Sequence, residues 1–362
     1  MKRMGRLAVV AMSIVLVLCF AKFMNPSEIA VKLMFPNLAK VLTMEHVKLP
    51  ITSEVEAARL EQKKELMPSA VKEESLRKQL AEENQLSFET LLEEEETSQA
   101  EIQEEVLSAA YTQEQLRDIT FLTSRLYNVD ASTKVRDGQL NVDKLLSYDF
   151  SVDKEREGAQ ILIYHTHSQE SFVDSIPGDE STSIVGMGSY LTTLLQQQGF
   201  KVIHHKEVFD MVDGNLDRNK AYTRAEPVIR RIIEENPDLQ IIIDLHRDGV
   251  GENVHLVKEI DGESTAQVMF FNGMSYSAKN GTISYLPNPY IENNLALTLQ
   301  MKLASDNLAP GFARKIYLKS LRFNLHLHPG AMLIEAGAQT NTVEEMRRAM
   351  EVLARILSDV LY

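Results

Sequence analysis

Three short stretches of this 362-residue chain gather side chains that bind metals or move protons: His165-Thr166-His167-Ser168-Gln169-Glu170, His246-Arg247-Asp248, and the single Glu335. Each follows an apolar run that reads as a buried strand: Ile161-Leu162-Ile163-Tyr164, Ile241-Ile242-Ile243-Asp244-Leu245 and Met332-Leu333-Ile334. In open α/β sheets ligands bind outside the carboxyl ends of strands, so three such ends on one rim pool imidazoles with carboxylates. Zinc accepts two His and one carboxylate, with a water in the open position, where thiolates are lacking. They are lacking here, because the only cysteine is Cys19, far from these stretches. His165 and His167 are two apart and share a face if the segment is extended. Glu170, three further on, is within reach of a tight loop. His165, His167, Glu170 and His246 are therefore the candidate ligands of Zn2+. The plainer alternative makes the histidines strand-end residues hydrogen-bonded to backbone.

Glu335 sits at the edge of a core, where an unpaired charge is costly. Either a structural partner such as Arg247 neutralises it, or it is the general base that takes a proton from activated water. Arg247 is the candidate to assist at a developing oxyanion. With Asp248, it either orients the neighbouring ligand or holds a substrate carboxylate, or else forms a structural ion pair. Arg314 is expected in a solvated basic loop, His326 and His328 in hydrogen-bonded surface roles, and His204 and His205 in structural ones.

The elements that must position these groups alternate. Helical patterns cover residues 183–198, 224–236, 293–308 and 342–361, the first ending at Gly199 and the second stopped by Pro237. A further strand is expected at 201–204, and a hairpin over 254–271 around Asp261-Gly262. This predicts an α/β catalytic domain over residues 155–362, with a mostly parallel central sheet flanked by helices. Residues 111–154, with apolar groups at Leu116, Ile119, Leu122 and Leu126 and again at Leu140, Val142, Leu145 and Leu146, read as an adaptor or small packing element preceding it.

Upstream, residues 1–24 carry Lys2, Arg3 and Arg6 and then an apolar stretch long enough to span a bilayer of roughly 30 Å. The basic start favours a cytoplasmic N-terminus, which predicts a single-pass anchor in the cell membrane and an extracytoplasmic catalytic domain. Residues 25–110 follow as a juxtamembrane segment and a solvated, partly helical acidic linker. Residues 51–118 hold 18 acidic and 7 basic residues, −11 of a net charge of −14. No basic patch is left to neutralise phosphates, so a nucleic-acid partner is not expected.

Glu335-Ala336-Gly337-Ala338-Gln339-Thr340-Asn341 resembles the E-x-G-x-x-[ST]-N signature of zinc N-acetylmuramoyl-L-alanine amidases. Tyr164-His-Thr-His-Ser-Gln-Glu-Ser171, Asp244-Leu-His-Arg-Asp248 and Leu333-Ile-Glu-Ala-Gly337, in that order, resemble the stage II sporulation protein P family over roughly residues 155–362. The resemblance implies a peptidoglycan hydrolase with amidase and endopeptidase activity in septal thinning and engulfment. It also implies zinc held by the earlier histidines, a catalytic Glu335, and stage II sporulation proteins D and M as partners. Ser168-Gln169 stands where the family pattern has Thr-Thr, and Phe323-Asn324-Leu325 where it has Tyr-Asn-Gln. In the broader amidases the zinc glutamate opens the helix after the first strand, which makes Glu180 a rival of the favoured Glu170. His165 and His167 compete likewise as first ligand.

Overall fold

The computed structural model describes residues 111–362. Among them, seven strands form one sheet: β1 (Tyr127–Val129), β2 (Ile161–Tyr164), β3 (Val202–His204), β4 (Ile241–Asp248), β5 (Val268–Gly273), β6 (Ile316–Lys319) and β7 (Ala331–Ala338). Their order is β1-β6-β5-β7-β4-β2-β3, and every neighbouring pair is parallel except β5 with β7. The three apolar runs thus lie side by side as β2, β4 and β7, buried on both faces as helix-covered parallel strands must be.

The helices are α1 (Gln113–Arg117), α2 (Ile119–Arg125), α3 (Val142–Leu145), α4 (Ile184–Gln197), α5 (Ala221–Glu235), α6 (Ile291–Leu308) and α7 (Val343–Leu361). On one sheet face Ile161, Ile163, Ile243, Leu245, Met332 and Ile334 share a large core with α4, α6 and α7. On the other, Leu162, Tyr164, Ile242, Phe271, Tyr317 and Leu333 pack against Ala221, Ala225 and Ile229 of α5. Toward the carboxyl ends of β4 and β7 this second row turns polar. Ile242 is followed on its face by Asp244 and His246, and Leu333 by Glu335, because alternate residues of a strand point the same way.

Of the two readings of residues 111–154, the structure has the packing element and not a separate adaptor. Leu116, Leu122, Leu126, Leu140, Val142 and Leu145 enter the main core, and β1 pairs with β6 at the sheet edge. So short a segment has too few apolar residues to close a core of its own. The expected hairpin is tighter than 254–271: Val257–Ile260 pairs with Glu263–Ala266, and Asp261 and Gly262 both have positive φ. The Val268–Gly273 run beyond it is instead β5, a central strand. The anchor at 1–24 and the linker at 25–110 lie outside the described residues. Among the described ones, no helix is long and apolar enough to cross a membrane.

The turn from β7 into α7 is locked by side chains. Thr342 caps α7 and forms a capping box with Glu345. Glu345 also accepts from Asn341 Nδ2 at 3.0 Å and lies 2.9 Å from His255 Nε2. Gly337 has φ +57°, and a Cβ there would come within 2.4 Å of Met346 Sδ, so glycine is required two residues after Glu335. Burial opposes ionising Glu345, but the Thr342 N–H, His255 and Asn341 outweigh it and hold its pKa below the ordinary value. The resulting stabilisation is present above the unfolded pKa, about 4.3, and is lost as pH falls through the depressed folded one. Glu345→Gln is therefore expected to cost about 1 kcal/mol at pH 7, or about 2–4 °C in Tm. That gap should narrow as the pH drops below about 4, and thermal unfolding of both proteins across this range measures it; a gap independent of pH refutes the account.

Candidate active site

Parallel pairing of β7 with β4 sets Glu335 directly opposite His246, both projecting from the α5 face of the sheet. Strand β2 ends at Tyr164, where Asp244 of β4 captures the chain: its carboxylate accepts from Thr166 N at 2.8 Å and from Thr166 Oγ1 at 2.6 Å. Past that tether the two-residue period of a strand no longer applies, and the two histidines part. His165 turns to the α4 side. Its Nδ1 lies 2.7 Å from the Leu245 carbonyl oxygen and its Nε2 2.9 Å from His204 Nε2. Gly188 of α4 covers that pair, and a Cβ there would approach His165 Nε2 to 2.6 Å. His167 turns to the opposite side, with its ring centroid 5.2 Å from that of His246. The expectation that both histidines share a face is thus corrected, and His167 is the one beside His246.

Glu170 is buried in the same place. Its Oε2 accepts from the Arg247 N–H at 2.9 Å and lies 3.8 Å from His246 Nδ1, while its Oε1 lies 3.3 Å from Arg218 Nη1. The rival Glu180 is exposed and paired with Lys206 at 2.7 Å. Arg247 does not reach over the cluster. Its guanidinium donates to the backbone carbonyls of Ser171 and Asp248, at 3.1 and 3.0 Å, so its side chain braces the loop. Nor is Arg314 in a solvated loop: it is largely covered and paired with Asp248. His326 bonds Glu226, and His328 accepts the Gly330 N–H, both away from the imidazole pair.

Three residues at the site were given no role in it by the sequence. Asp244 Oδ1 lies 2.8 Å from His246 Nε2, but off the N–H direction, so that buried nitrogen makes no aligned hydrogen bond. Asp210, fully buried, accepts from Ser168 Oγ at 2.9 Å and Gln169 N at 3.2 Å, and lies 4.0 Å from His167 Nδ1. Each imidazole thus has a buried carboxylate behind one nitrogen, an arrangement that fixes ring orientation in metal sites. The third is Tyr222 of α5, whose ring is edge-on to His167 and nearly parallel to His246. Asp244 was legible as part of a strand, but the roles of Asp210 and Tyr222 arise from folding alone.

The electrostatics are those of a centre short of positive charge. Burial pushes His167 down to about 3, so this ring is neutral. Burial also works against protonating His246, yet Asp244, Glu170 and Glu335 overcome it and raise it to about 10. Burial raises Glu335 to about 8, with Asp248 and Glu170 adding to it and His246 and Arg314 opposing. Burial likewise raises Glu170, against His246, Arg247 and Arg218. His167 Nδ1, His246 Nε2 and Glu335 Oε2 are buried without a hydrogen-bond partner. The two ring nitrogens face Asp210 and Asp244, so it is Glu335 Oε2 that calls for an absent ion or water; two imidazoles with a carboxylate are a zinc donor set. As placed, no three His, Cys, Asp or Glu side chains among the described residues converge closely enough to hold a metal ion.

Fold and site together define the class: an α/β protein with a buried imidazole–carboxylate centre on one face of a mostly parallel sheet. The stage II sporulation protein P (SpoIIP) family model matches residues 39–358, and the chain belongs to that family. Stage II sporulation protein P of Bacillus subtilis (strain 168) is 24% identical over 217 residues, 56% of this chain and 51% of that protein. The chain therefore spans about half the length of the curated relative it matches. Among solved structures, the CwlD amidase from Clostridioides difficile, in complex with the GerS lipoprotein, has 13% identity and a TM-score of 0.34, covering 56% of this chain and 98% of that one. The N-acetylmuramoyl-L-alanine amidase AmiC2 of Nostoc punctiforme has 12% identity and a TM-score of 0.32, covering 58% and 98%. At these scores neither likeness bears on the site.

Proposed function

We propose that this protein is a zinc-dependent peptidoglycan hydrolase that cleaves the amide between the muramic acid lactyl group and L-alanine during sporulation. The observation that carries this reading is the register pair of Glu335 with His246, with Glu170 Oε2 3.8 Å from His246 Nδ1 and His167 alongside. Family membership supplies the wall and sporulation context. His167, Glu170 and His246 would hold the ion; Asp210 and Asp244 would orient the two imidazoles. Zinc bound there acidifies water and polarises a carbonyl. Glu335 accepts the proton of the attacking water and returns it to the leaving amine. The apolar segment at 7–24 anchors the chain in the cell membrane, with the catalytic domain outside, where stage II sporulation proteins D and M are its partners.

Digestion of purified sacculi by the full chain in detergent, with Zn2+, tests the activity. New amino groups are expected on L-alanine, with muramic acid left without its peptide. New termini within the stem peptide instead make it an endopeptidase, and no release of either kind defeats the reading.

A further inference from the structure

With the Arg247 guanidinium committed to backbone carbonyls, the group standing over the imidazole pair is a phenol. Tyr222 lies in the first turn of α5. Its ring centroid is 5.6 Å from His167 at 85° and 6.4 Å from His246 at 16°. Phe323 closes its far side at 5.5 Å and 79°. The ionisable groups facing it are Asp244, Glu335, Tyr164 and Glu170. Tyr222 is tied down through its backbone carbonyl, which accepts from Asn324 Nδ2 at 2.9 Å.

The surroundings hold this ring in place at a cost. Phe323 and Asn324 have φ of 47° and 57°, a left-handed conformation unfavourable to residues with a Cβ. The loop is pinned to α5 by Glu226, which lies 2.8 Å from Arg322 Nη2 and 3.1 Å from His326 Nε2. On the other side, Arg218, just ahead of α5, reaches Glu170.

We propose that Tyr222 is a catalytic residue of this centre, donating a hydrogen bond from its phenol to the carbonyl oxygen of the scissile amide as negative charge builds there. The assignment rests on the reading given under Proposed function. Water oxygen bonds to the carbonyl carbon, the carbon–nitrogen bond breaks, and the proton taken from water by Glu335 passes to the amine. Tyr222 keeps its proton throughout, and its hydrogen bond strengthens as the oxyanion forms.

Tyr222→Phe tests this, since it removes one oxygen and keeps the ring that packs on both imidazoles. With the full chain acting on a soluble muropeptide, kcat is expected to fall about 100-fold, the scale of losing one oxyanion donor. KM should stay within about twofold, as for an interaction made only in the transition state, and zinc content should match wild type. An unchanged kcat overturns the assignment, and so does a loss of activity in proportion to lost zinc, which makes Tyr222 structural. A wild-type protein that binds no zinc or cleaves nothing defeats the metal-hydrolase reading itself, and this assignment with it.

Discussion

Glu335→Gln is expected to leave the fold and the metal content intact and to lower hydrolysis of purified sacculi by about 10³-fold, within the range of losing a general base. The substitution is nearly isosteric and removes only the capacity to take a proton. Glu335 sits in β7 directly opposite His246, with Oε2 enclosed and unpartnered. Its pKa, raised to about 8 by burial, means that the metal-free centre keeps the proton at neutral pH. A dication held by its neighbours would lower that value, because opposite charge favours the carboxylate. Zinc content and cleavage rate, measured on the same preparation, decide the matter: substantial residual hydrolysis with full zinc removes Glu335 from the base role.

The second large effect separates the two histidines that sequence spacing treats alike. His167→Ala is expected to weaken zinc binding by more than about 100-fold, beyond the 10–100-fold typical of losing an outer-shell partner, and to abolish activity. His165→Ala should keep stoichiometric zinc and instead destabilise the protein. It leaves the buried Leu245 carbonyl without its 2.7 Å partner and opens a void between Gly188 and His204. An unsatisfied buried group costs about 1–3 kcal/mol, equivalent to several degrees in Tm. Elemental analysis and thermal unfolding of both variants give the answer. If His165→Ala strips the metal while His167→Ala retains it, the assignment is reversed.

Much of the architecture was legible because apolar runs and caps report burial directly. Ile161 to Tyr164, Ile241 to Leu245 and Met332 to Ile334 could only be interior strands, and helices 183–198 and 342–361 are found within a residue or so as α4 and α7. The edge was less visible. Ile316-Tyr317-Leu318-Lys319 is too short and mixed to declare itself, and β5 was hidden behind the hairpin that precedes it. β1 went unread because a three-residue strand acquires meaning only from its partner, β6.

The residue types limited the chemistry open to this chain: with a single remote cysteine, His and carboxylates are the donors available to any transition metal, and hydrophobic runs fixed which of them stand at strand ends. Tertiary structure decided membership. Parallel register put Glu335 against His246. The Asp244–Thr166 tether ended β2 early and sent His165 and His167 to opposite faces. Asp210 and Tyr222 arrived from segments whose local sequence gives no hint of the site. Periodicity describes which way a residue points within one element. Which groups meet across elements depends on pairing, on where each element stops, and on hydrogen bonds between residues that are tens of positions apart.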